Sequence, residues 1–393
     1  MKSILFNPYV GIAFSFLLGG FFYQLRWSSA YVDLNSATIY VLFLVVVVML
    51  ALGILLRSAI KPNLSDFKTI SKIWLCIYVL GITADFLYSG AIPMINMISG
   101  RGAYYKDIAH LPGGIYVLVK SLGAYLTIFY FCEAQNSGKK SAIVYFSLCF
   151  LLLVLGVNRG ILVIIVFSCL LIYINKLNKF SSKKIFKMVC LVFFFLFLFG
   201  KVGEIRSNNY KNVNYISKYN LQLEEIILHK GQATAEFRDS NLPVSFFWVY
   251  AYAASPIGNL DSILESSKTN PRLDDYFMNS FAPDFIQSLS GYDVEKDKSS
   301  FNLDVFNAYT IFGTPAQQFG VKGILVCFLI MVVIIFLLLS IIQRTPNRII
   351  PYAILVSASY LSVFANMFQS DIVFFSIMFS FLLKFKITRN YDR

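Results

Sequence analysis

The stretch Trp248-Val-Tyr-Ala-Tyr-Ala-Ala-Ser-Pro-Ile-Gly-Asn259 lies at the centre of the one long polar part of the chain, residues 201–318. This polar part holds 14 of the 21 acidic residues but only 10 of the 34 basic ones. Because proline disfavours helical geometry in the residue before it, we expect the aromatic run to leave the helix and bend at Ser255-Pro256. The apolar and aromatic stretch from Asn241 to Ala254 is also short for a bilayer span, so a re-entrant or interfacial element fits it better.

On both sides of this polar part, the chain consists of apolar runs that approach the length of a membrane-spanning helix. Hydrophobic residues make up 57% of the chain and charged residues 14%, a composition typical of a polytopic membrane protein. Since a span needs about 20 apolar residues, the sequence predicts an all-α polytopic membrane protein with about ten transmembrane helices. The predicted helices cover residues 4–23, 36–56, 73–95, 113–131, 141–157, 161–175, 185–200, 321–342, 350–367 and 372–385.

This pattern divides the chain into three parts. Residues 1–200 hold predicted helices one to seven, residues 201–319 form the large polar segment, and residues 320–393 hold helices eight to ten. Within the polar segment, apolar residues recur with helical spacing between Tyr215 and Leu228, which predicts an amphipathic helix.

The distribution of lysine and arginine predicts the orientation of these helices. Basic clusters fall in the loops after predicted helices two, four, six and eight and at the C-terminus, whereas the alternate loops carry few. Because cytoplasmic loops are enriched in Lys and Arg, both termini are predicted to be cytoplasmic and the polar segment to lie outside the cytoplasm. The net charge of +13 is spread over short loops rather than one basic face, so we expect no nucleic-acid partner.

Several kinds of chemistry have no sequence support. The chain contains no Walker loop, no dinucleotide-binding glycine motif and no zinc-ligand spacing. The first outer loop carries one acid, Asp33, and not the acidic pair of metal-dependent lipid-linked glycosyltransferases. The alternating acids from Asp293 to Asp297 are interleaved with Lys296 and Lys298, which favours a solvated loop over a cation site. We therefore predict neither a metal nor a cofactor.

Four arginines lie in predicted outer loops, where positive charge is otherwise scarce: Arg101, Arg159, Arg206 and Arg238. A guanidinium group matches phosphate oxygens in bidentate geometry. A charge beside a bilayer is usually partnered or functional. Two interpretations stay open for each arginine, a local ion pair with an acid or a contact with a diphosphate at the membrane surface. Arg159 is the strongest case for the diphosphate because it lies at the apex between two apolar helices.

Other ionisable residues in or near the predicted outer loops are candidate proton acceptors: His110, His229, Glu236, Asp239 and Asp284. Glu236 and Asp239 flank Arg238, so a local ion pair is an equally open interpretation there. Asp85 and Asp371 lie within or at the ends of predicted membrane helices, where either a structural hydrogen bond or a role in proton transport is open.

Short motifs resemble those of Wzy-type O-antigen and repeat-unit polysaccharide polymerases. Tyr252-x-x-Ser255-Pro256-x-x-Asn259 resembles one family motif. Asn158-Arg159-Gly160 in a helix hairpin, Gly203-x-x-Arg206 after a helix and Gln318-Phe319-Gly320 before helix eight are similar to other family landmarks. The long outer segment between two late helices also fits the family, whereas the patch from Tyr104 to Asp107 lacks the Phe-Gly-Ile-Pro run of the corresponding family loop.

The resemblance implies a metal-independent glycosyltransferase of the bacterial inner membrane, with the large segment in the periplasm. Such a polymerase moves the growing chain from undecaprenyl diphosphate to the non-reducing end of an incoming lipid-linked repeat unit. Its partners would be undecaprenyl-diphosphate-linked oligosaccharides, the lipid bilayer and a chain-length regulator.

Carried over to this chain, the resemblance implies roles for named residues. Arg159 and Arg206 would hold the donor diphosphate, and Arg101 and Arg238 are further diphosphate candidates. The sugar site would be shaped by Tyr252, Ser255 and Asn259. The acceptor hydroxyl would give its proton to Glu236 or His229.

Other functions remain open at the level of the sequence. A flippase for the same lipid-linked units is one, although the chain lacks the repeated halves or paired broken helices of many transporters. An O-antigen ligase, which transfers finished chain to a lipid A core, is another. A membrane acyltransferase fits less well, because neither histidine is predicted to face the membrane.

Overall fold

The protein is described by a computed structural model, and the description covers residues 2–56, 67, 69–99, 110–112, 114–156, 159–176, 186, 190, 193–194, 196–197, 200–201, 225–266, 272–290, 306 and 308–383. Within these ranges the regular structure is helical, and no β-strand occurs. A single isolated antiparallel bridge joins Ser28 to Ala233.

The helices follow one another along the chain as α1 (Lys2–Leu5), α2 (Pro8–Gln24), α3 (Ser36–Leu55), α4 (Ile73–Ser89), α5 (Pro93–Ile98), α6 (Gly114–Ser137), α7 (Lys140–Leu155), α8 (Arg159–Lys176), α9 (Ile226–Lys230), α10 (Ala235–Arg238), α11 (Val244–Glu265), α12 (Leu273–Phe281), α13 (Asp284–Leu289), α14 (Gly313–Ile342), α15 (Ile349–Tyr360) and α16 (Asp371–Leu382). A short 3₁₀ helix, Met367–Gln369, precedes α16.

The lengths and surfaces of these helices suit a bilayer. Three described helices, α3, α6 and α14, are long and apolar enough to cross a membrane, and α4, α7, α8, α15 and α16 are shorter apolar helices. Many large apolar side chains point outward, among them Phe43, Leu55 and Leu87. Exposed apolar area on this scale is unfavourable in water but stable in hydrocarbon. The all-α architecture expected from the sequence is therefore confirmed for the described residues, with the properties of a membrane protein.

Several predicted helices are observed with bounds that differ for local reasons. Predicted helix one is divided between α1 and α2 because Asn7 caps α2, accepting the amides of Tyr9 (2.9 Å) and Val10 (3.4 Å) through its side chain. Predicted helix eight begins earlier than expected, at Gly313, and is kinked at Gly320. Gly320 has φ 57° and ψ −141°, a conformation that is open to glycine and strained for other residues.

Predicted helix nine ends at Tyr360 rather than at residue 367, and turns and the 3₁₀ helix follow. Predicted helix seven and most of the predicted amphipathic helix at 215–228 lie outside the described residues.

Helix α2 is a central element of the bundle. It packs antiparallel to α3, where the Asn7 side-chain amide donates to the Gly53 carbonyl (3.0 Å). It packs alongside α15, where the hydroxyl of Tyr352 donates to the Phe6 carbonyl. Near the other end of α2, the Ser15 hydroxyl lies 3.0 Å from that of Ser362. These buried hydrogen bonds fix α15 parallel to α2, with both C-terminal ends on the same side.

That side of the bundle is covered by the described residues of 225–312, which we call the polar cap. The Ser29 amide, just after α2, donates to the Gln232 carbonyl (2.9 Å), and the Ile311 amide donates to the Ser362 carbonyl (2.8 Å). The loops that follow α2 and α15 are thus both bonded to the polar cap. This is compatible with the predicted position of the polar segment on one side of a membrane.

Helix α11, the longest helix of the polar cap, passes through Pro256 without interruption. Ser255 is helical, so the expectation that it leaves the helix is wrong. Proline in a helix interior costs about 3 kcal/mol because it removes one hydrogen bond and crowds the preceding turn. Most side chains of α11 are buried, among them Phe247, Trp248 and Tyr250. Burial of one large apolar side chain contributes about 1.5–3 kcal/mol, so packing outweighs the cost of Pro256.

Candidate functional site

Tyr252 lies in a cluster of aromatic rings where the polar cap meets the loop after α15. Its ring centroid is 6.4 Å from that of Trp248, 6.5 Å from that of Phe306 and 6.2 Å from that of Phe364. We call these four residues the aromatic cluster. Tyr252 is only half-buried, whereas Trp248 and Phe306 are buried. A half-buried aromatic ring beside a fixed scaffold suits the binding of a sugar ring.

The other two residues of the sugar-site prediction are buried in α11. The Asn259 side-chain amide donates to the carbonyls of Phe306 (2.9 Å) and Ala308 (2.7 Å), which ties α11 to the chain before α14. The Ser255 hydroxyl is buried and has no hydrogen-bond partner among the described residues. Both side chains are fully buried in this structure, so their observed contacts are with the protein. Contact of Ser255 or Asn259 with a sugar stays a prediction.

A group of polar residues on α12 and in the loop after Phe364 was not predicted from the sequence. The Asn366 side-chain amide donates to the Ser280 carbonyl (2.7 Å), and that of Gln369 donates to the Asn279 carbonyl (2.8 Å). Three further atoms of this group are buried without a hydrogen-bond partner among the described residues: Oδ1 of Asn279, Oγ of Ser280 and Oδ1 of Asn366. We call Asn279, Ser280 and Asn366 the amide group.

Unpartnered buried oxygens are uncommon in folded proteins and point to a ligand or ordered water. Asn366 is only two residues from Phe364, a ring of the aromatic cluster, so the same loop serves both features. In the sequence, the signal for this loop is a set of four polar residues between two apolar runs: Asn366, Gln369, Ser370 and Asp371.

Two of the predicted proton acceptors, His229 and Glu236, lie elsewhere on the polar cap. His229 is exposed at the end of α9, and Glu236 is exposed in the first turn of α10. Helix α10 docks through Phe237, whose ring lies 5.0 Å from that of Phe247 on α11. Tyr252 lies on a different face of α11, the face that carries Trp248. A catalytic role for Glu236 or His229 stays a prediction.

Of the four predicted diphosphate ligands, only Arg238 has a described side chain. Its Nε donates to the Ala233 carbonyl (3.2 Å), and the residue is exposed on the polar cap. Arg159 is the first residue of α8, but its side chain lies outside the described part of the structure, as do Arg101 and Arg206. The diphosphate site therefore stays a prediction.

The Tyr250 hydroxyl, a polar group of the polar cap, has a structural role. Its hydroxyl accepts the Ser28 amide (3.2 Å) and so anchors the loop after α2 to α11. Burial raises the pKa of Tyr250 to about 12, while the amides of Ser28 and Trp27 act in the opposite direction. The phenol is therefore neutral at physiological pH and does not serve as a base.

A second group of ionisable residues lies between α4 and α6. The Asp85 carboxylate accepts the Leu111 amide (2.9 Å) and lies 3.1 Å from Nδ1 of His110. The His110 ring stacks on that of Tyr116 with centroids 3.9 Å apart, and Nζ of Lys120 lies 3.7 Å from the Tyr116 centroid. Asp85 and His110 were predicted candidates, whereas Lys120 was not. The sequence signal for Lys120 is a single lysine in the middle of an apolar run.

Metal binding has no observed basis within the described residues, because no group of three or more His, Cys, Asp or Glu side chains there is arranged to hold an ion. The fold and the site together define a class of protein. It is an all-α protein whose helices suit a membrane and whose polar cap carries the aromatic cluster and the amide group. Comparison of the chain with protein-family models, with curated protein sequences and with solved structures finds no match.

Proposed function

We propose that this chain polymerises lipid-linked oligosaccharide repeat units of a bacterial surface polysaccharide such as O-antigen. In this proposal, the growing chain leaves undecaprenyl diphosphate and is transferred to the non-reducing end of an incoming lipid-linked unit. The protein acts as a metal-independent glycosyltransferase in the inner membrane. Both termini lie in the cytoplasm, and the polar cap faces the periplasm.

The observation that carries this proposal is the contact of the Tyr252 ring with Phe364, which lies two residues before Asn366 of the amide group. Sugar rings present apolar faces that stack on aromatic side chains, and hydroxyls that need hydrogen-bond partners. In this proposal the Tyr252 ring would stack on the apolar face of a sugar. The buried oxygens of Asn279 and Asn366, which have no hydrogen-bond partner among the described residues, would accept hydrogen bonds from sugar hydroxyls. The apolar helices below supply a surface for an isoprenoid chain. The motif resemblance, centred on this same Tyr252, supports the same function.

The chemistry assigned to the other predicted residues follows from charge. When the glycosyl group leaves, negative charge develops on the diphosphate, and guanidinium groups positioned there would stabilise it. Arg159 and Arg206 take this role in the proposal, with Arg101 and Arg238 as further ligands. The attacking sugar hydroxyl must lose a proton to a base within hydrogen-bond reach, which is assigned to Glu236 or His229.

The proposal is tested in the cell that carries the gene, by deletion and complementation. Deletion is expected to leave single repeat units on the acceptor, seen as one short band when surface polysaccharide is separated on a gel. Wild-type protein restores long chains, whereas Arg159→Lys and Arg206→Ala do not. Arg159→Lys is expected to be nearly as damaging as Arg159→Ala, because lysine keeps the charge but loses the bidentate fork.

Arg272→Lys is the matched control for these variants. Arg272 is exposed on the polar cap and pairs with Asp274 (2.9 Å), so this change is expected to leave chain length unaltered. Full-length polymer in both Arg159→Lys and Arg206→Ala cells would contradict the diphosphate site. Accumulation of lipid-linked units on the inner leaflet after deletion would indicate a flippase instead, and long chains that remain on undecaprenyl diphosphate would indicate a ligase.

A further inference from the structure

Helices α12 and α13 of the polar cap carry large apolar side chains that are exposed in the structure. These are Leu273 (67% exposed) and Phe277 (50%) on α12 and Ile286 (38%) and Leu289 (72%) on α13. Clustered apolar side chains on a surface are unfavourable in water and mark a site of contact with another apolar surface. The proposed sugar transfer gives these four side chains no role.

Helix α12 is amphipathic, and its exposed apolar side chains lie next to its buried ones. Tyr276 is buried, and its ring lies 5.5 Å from that of Phe277. Leu273 is three residues before Tyr276 and therefore neighbours it on the helix surface. Asp275 is two residues from both Leu273 and Phe277, which places it on the opposite side of the helix. The exposed apolar side chains thus continue the face by which α12 packs on the bundle.

The contact of α12 with α14 fixes the depth of α12 along the bundle. The Tyr276 hydroxyl donates to the Gly323 carbonyl (2.7 Å). Residues 323–342 of α14 carry no charge and extend for about 30 Å at 1.5 Å per residue, which is the thickness of a hydrocarbon core. Lys322 comes directly before this stretch, and Arg344 follows it closely. Gly323 therefore lies at the boundary between hydrocarbon and head groups.

Exposed apolar side chains begin on α14 one turn beyond this contact. Gly323 is buried, whereas Val326, Val333 and Leu337 are exposed. Their spacing places these residues on one stripe of α14. Since α14 is long and apolar enough to cross a membrane, this stripe suits contact with lipid. Helix α12 lies at the end of the stripe, so the apolar surface of α14 continues onto the exposed side chains of α12.

Helix α13 is held at the polar-cap end of a second apolar helix, α16. Asp371, the first residue of α16, accepts the Phe285 amide through Oδ1 (3.0 Å). The Phe285 ring lies 5.4 Å from that of Phe374 and 5.1 Å from that of Phe375. Phe374 is itself exposed. Helices α12 and α13 are thus attached to the polar-cap ends of two helices of the bundle.

Helix α13 has an apolar side and a polar side, and both are exposed. Ile286 and Leu289 are three residues apart and share one side. Asp284 and Ser288 are four residues apart and share the other, because Ser288 is two residues from Ile286. Exposed apolar and polar sides on one helix are typical of a helix that lies between lipid and water.

The charge of this part of the polar cap is acidic. Residues 272–290 contain Asp274, Asp275 and Asp284 but one basic residue, Arg272. Attraction to anionic lipids requires clusters of lysine and arginine, which these residues lack. The partner that fits is therefore the apolar part of a bilayer, and contact should not require anionic head groups.

We infer that α12 and α13 lie in the membrane interface on the polar-cap side, with their four exposed apolar side chains inserted among lipid acyl chains. Asn279 and Ser280 of the amide group are on α12, so this contact holds them at the depth of lipid head groups. A ligand of the amide group then reaches it from the membrane surface. The inference concerns contact with lipid and does not depend on the proposed sugar transfer.

The test places an environment-sensitive fluorophore on single cysteines of the full-length protein in lipid nanodiscs. Cys76 and Cys190, the two exposed cysteines, are first replaced by alanine. Labels at Phe277→Cys and Ile286→Cys are expected to be quenched by acyl-chain nitroxide lipids about twofold or more above the label at Ser288→Cys. Quenching by iodide in water is expected to show the reverse order.

Ser288→Cys is the matched control, because Ser288 is exposed on the polar side of the same helix as Ile286. The same values are expected in phosphatidylcholine alone and with phosphatidylglycerol added, and at low and high salt, because apolar contact is not screened by ions. Should the cysteine variants not accumulate, Phe277→Trp and Ser288→Trp allow the same comparison through quenching by brominated lipids, measured against wild type.

Three results would overturn the inference. Equal iodide quenching at Phe277, Ile286 and Ser288 would place all three side chains in water. Protection of Phe277 and Ile286 from both quenchers would show that protein, and not lipid, covers them. Loss of acyl-chain quenching in the absence of phosphatidylglycerol would show that charge holds α12 and α13 at the membrane. None of these readouts depends on polysaccharide synthesis, so each is separate from a failure of the proposed function.

Discussion

The rings of Tyr252 on α11 and Phe364 in the loop after α15 lie 6.2 Å apart, and this contact joins the polar cap to the helical bundle two residues before Asn366. An aromatic contact at this distance contributes about 0.5–1.5 kcal/mol beyond the burial of its area. The half-buried Tyr252 ring thus has two potential roles, one in holding the polar cap and one in contacting a sugar.

Replacement of Tyr252 separates these roles. Tyr252→Phe keeps the ring and is expected to retain long polysaccharide chains in complemented deletion cells. Tyr252→Ala removes the stacking surface, so we expect chains to shorten to one or a few repeats. Gel separation of surface polysaccharide measures the outcome, with protein amount in the membrane fraction as the reference. Long chains in Tyr252→Ala cells with normal protein amount would exclude Tyr252 from the sugar site.

Ser280→Ala tests whether the amide group is a ligand site. The Ser280 hydroxyl is buried without a hydrogen-bond partner among the described residues, so its removal is expected to leave thermal stability unchanged or slightly raised. If the hydroxyl contacts sugar, the same change raises the KM for lipid-linked units extracted from the deletion strain. Thermal unfolding and the rate of chain extension by purified protein give the two readouts.

The control for this variant is Ser359→Ala. Ser359 is also buried, but its hydroxyl donates to the Leu355 carbonyl within its own helix (2.9 Å). Its replacement is expected to leave the KM unchanged. A Ser280→Ala protein with wild-type KM would show that the amide group is not part of the sugar site.

Much of the helical framework could be predicted from the sequence, because apolar run length is a strong signal in a membrane protein. The ends of α3 and α7 fall within two residues of expectation. The predicted helix bounds and geometry are wrong where a specific side-chain contact determines where a helix begins or bends. The pair Asn7-Pro8 inside the apolar run from residue 4 to residue 23 is a helix-start signal that the predicted helix did not take into account, and nothing in the run shows that Asn7 also bonds to Gly53. Tertiary packing carries α11 through Pro256, against the local preference of that residue.

The candidate site was predictable only in part for the same reason. Tyr252 could be named from a motif, but the amide group is assembled from α12 and the loop before α16, which are far apart in sequence. Lys120 carries one visible signal, a charge within an apolar run, but only the fold shows that it lies over Tyr116 and beside the turn that Asp85 holds.

Asn259→Ala is expected to destabilise the protein. The change leaves the carbonyls of Phe306 and Ala308 without the amide donor that lies 2.9 and 2.7 Å away, and an unsatisfied buried group costs about 1–3 kcal/mol. We expect a lower midpoint of thermal unfolding in detergent. Ser262→Ala is the control, because its hydroxyl bonds within α11 to the Gly258 carbonyl (3.1 Å). An unchanged midpoint for Asn259→Ala would contradict the role of Asn259 as a link between α11 and the chain before α14.

The α4–α6 contact depends on a glycine. A Cβ at Gly123 would lie 2.3 Å from the nearest ring carbon of Tyr78, which is fully buried and bonded to the Cys149 carbonyl (3.4 Å). Gly123→Ala therefore forces α4 and α6 apart, and overpacking of this kind costs about 1–3 kcal/mol. Tyr78→Leu in the same chain relieves the clash, so the double variant is expected to be less destabilised than the sum of the two single changes. Thermal unfolding of the four proteins measures this coupling, and strict additivity would show that the two helices are not held at the observed distance.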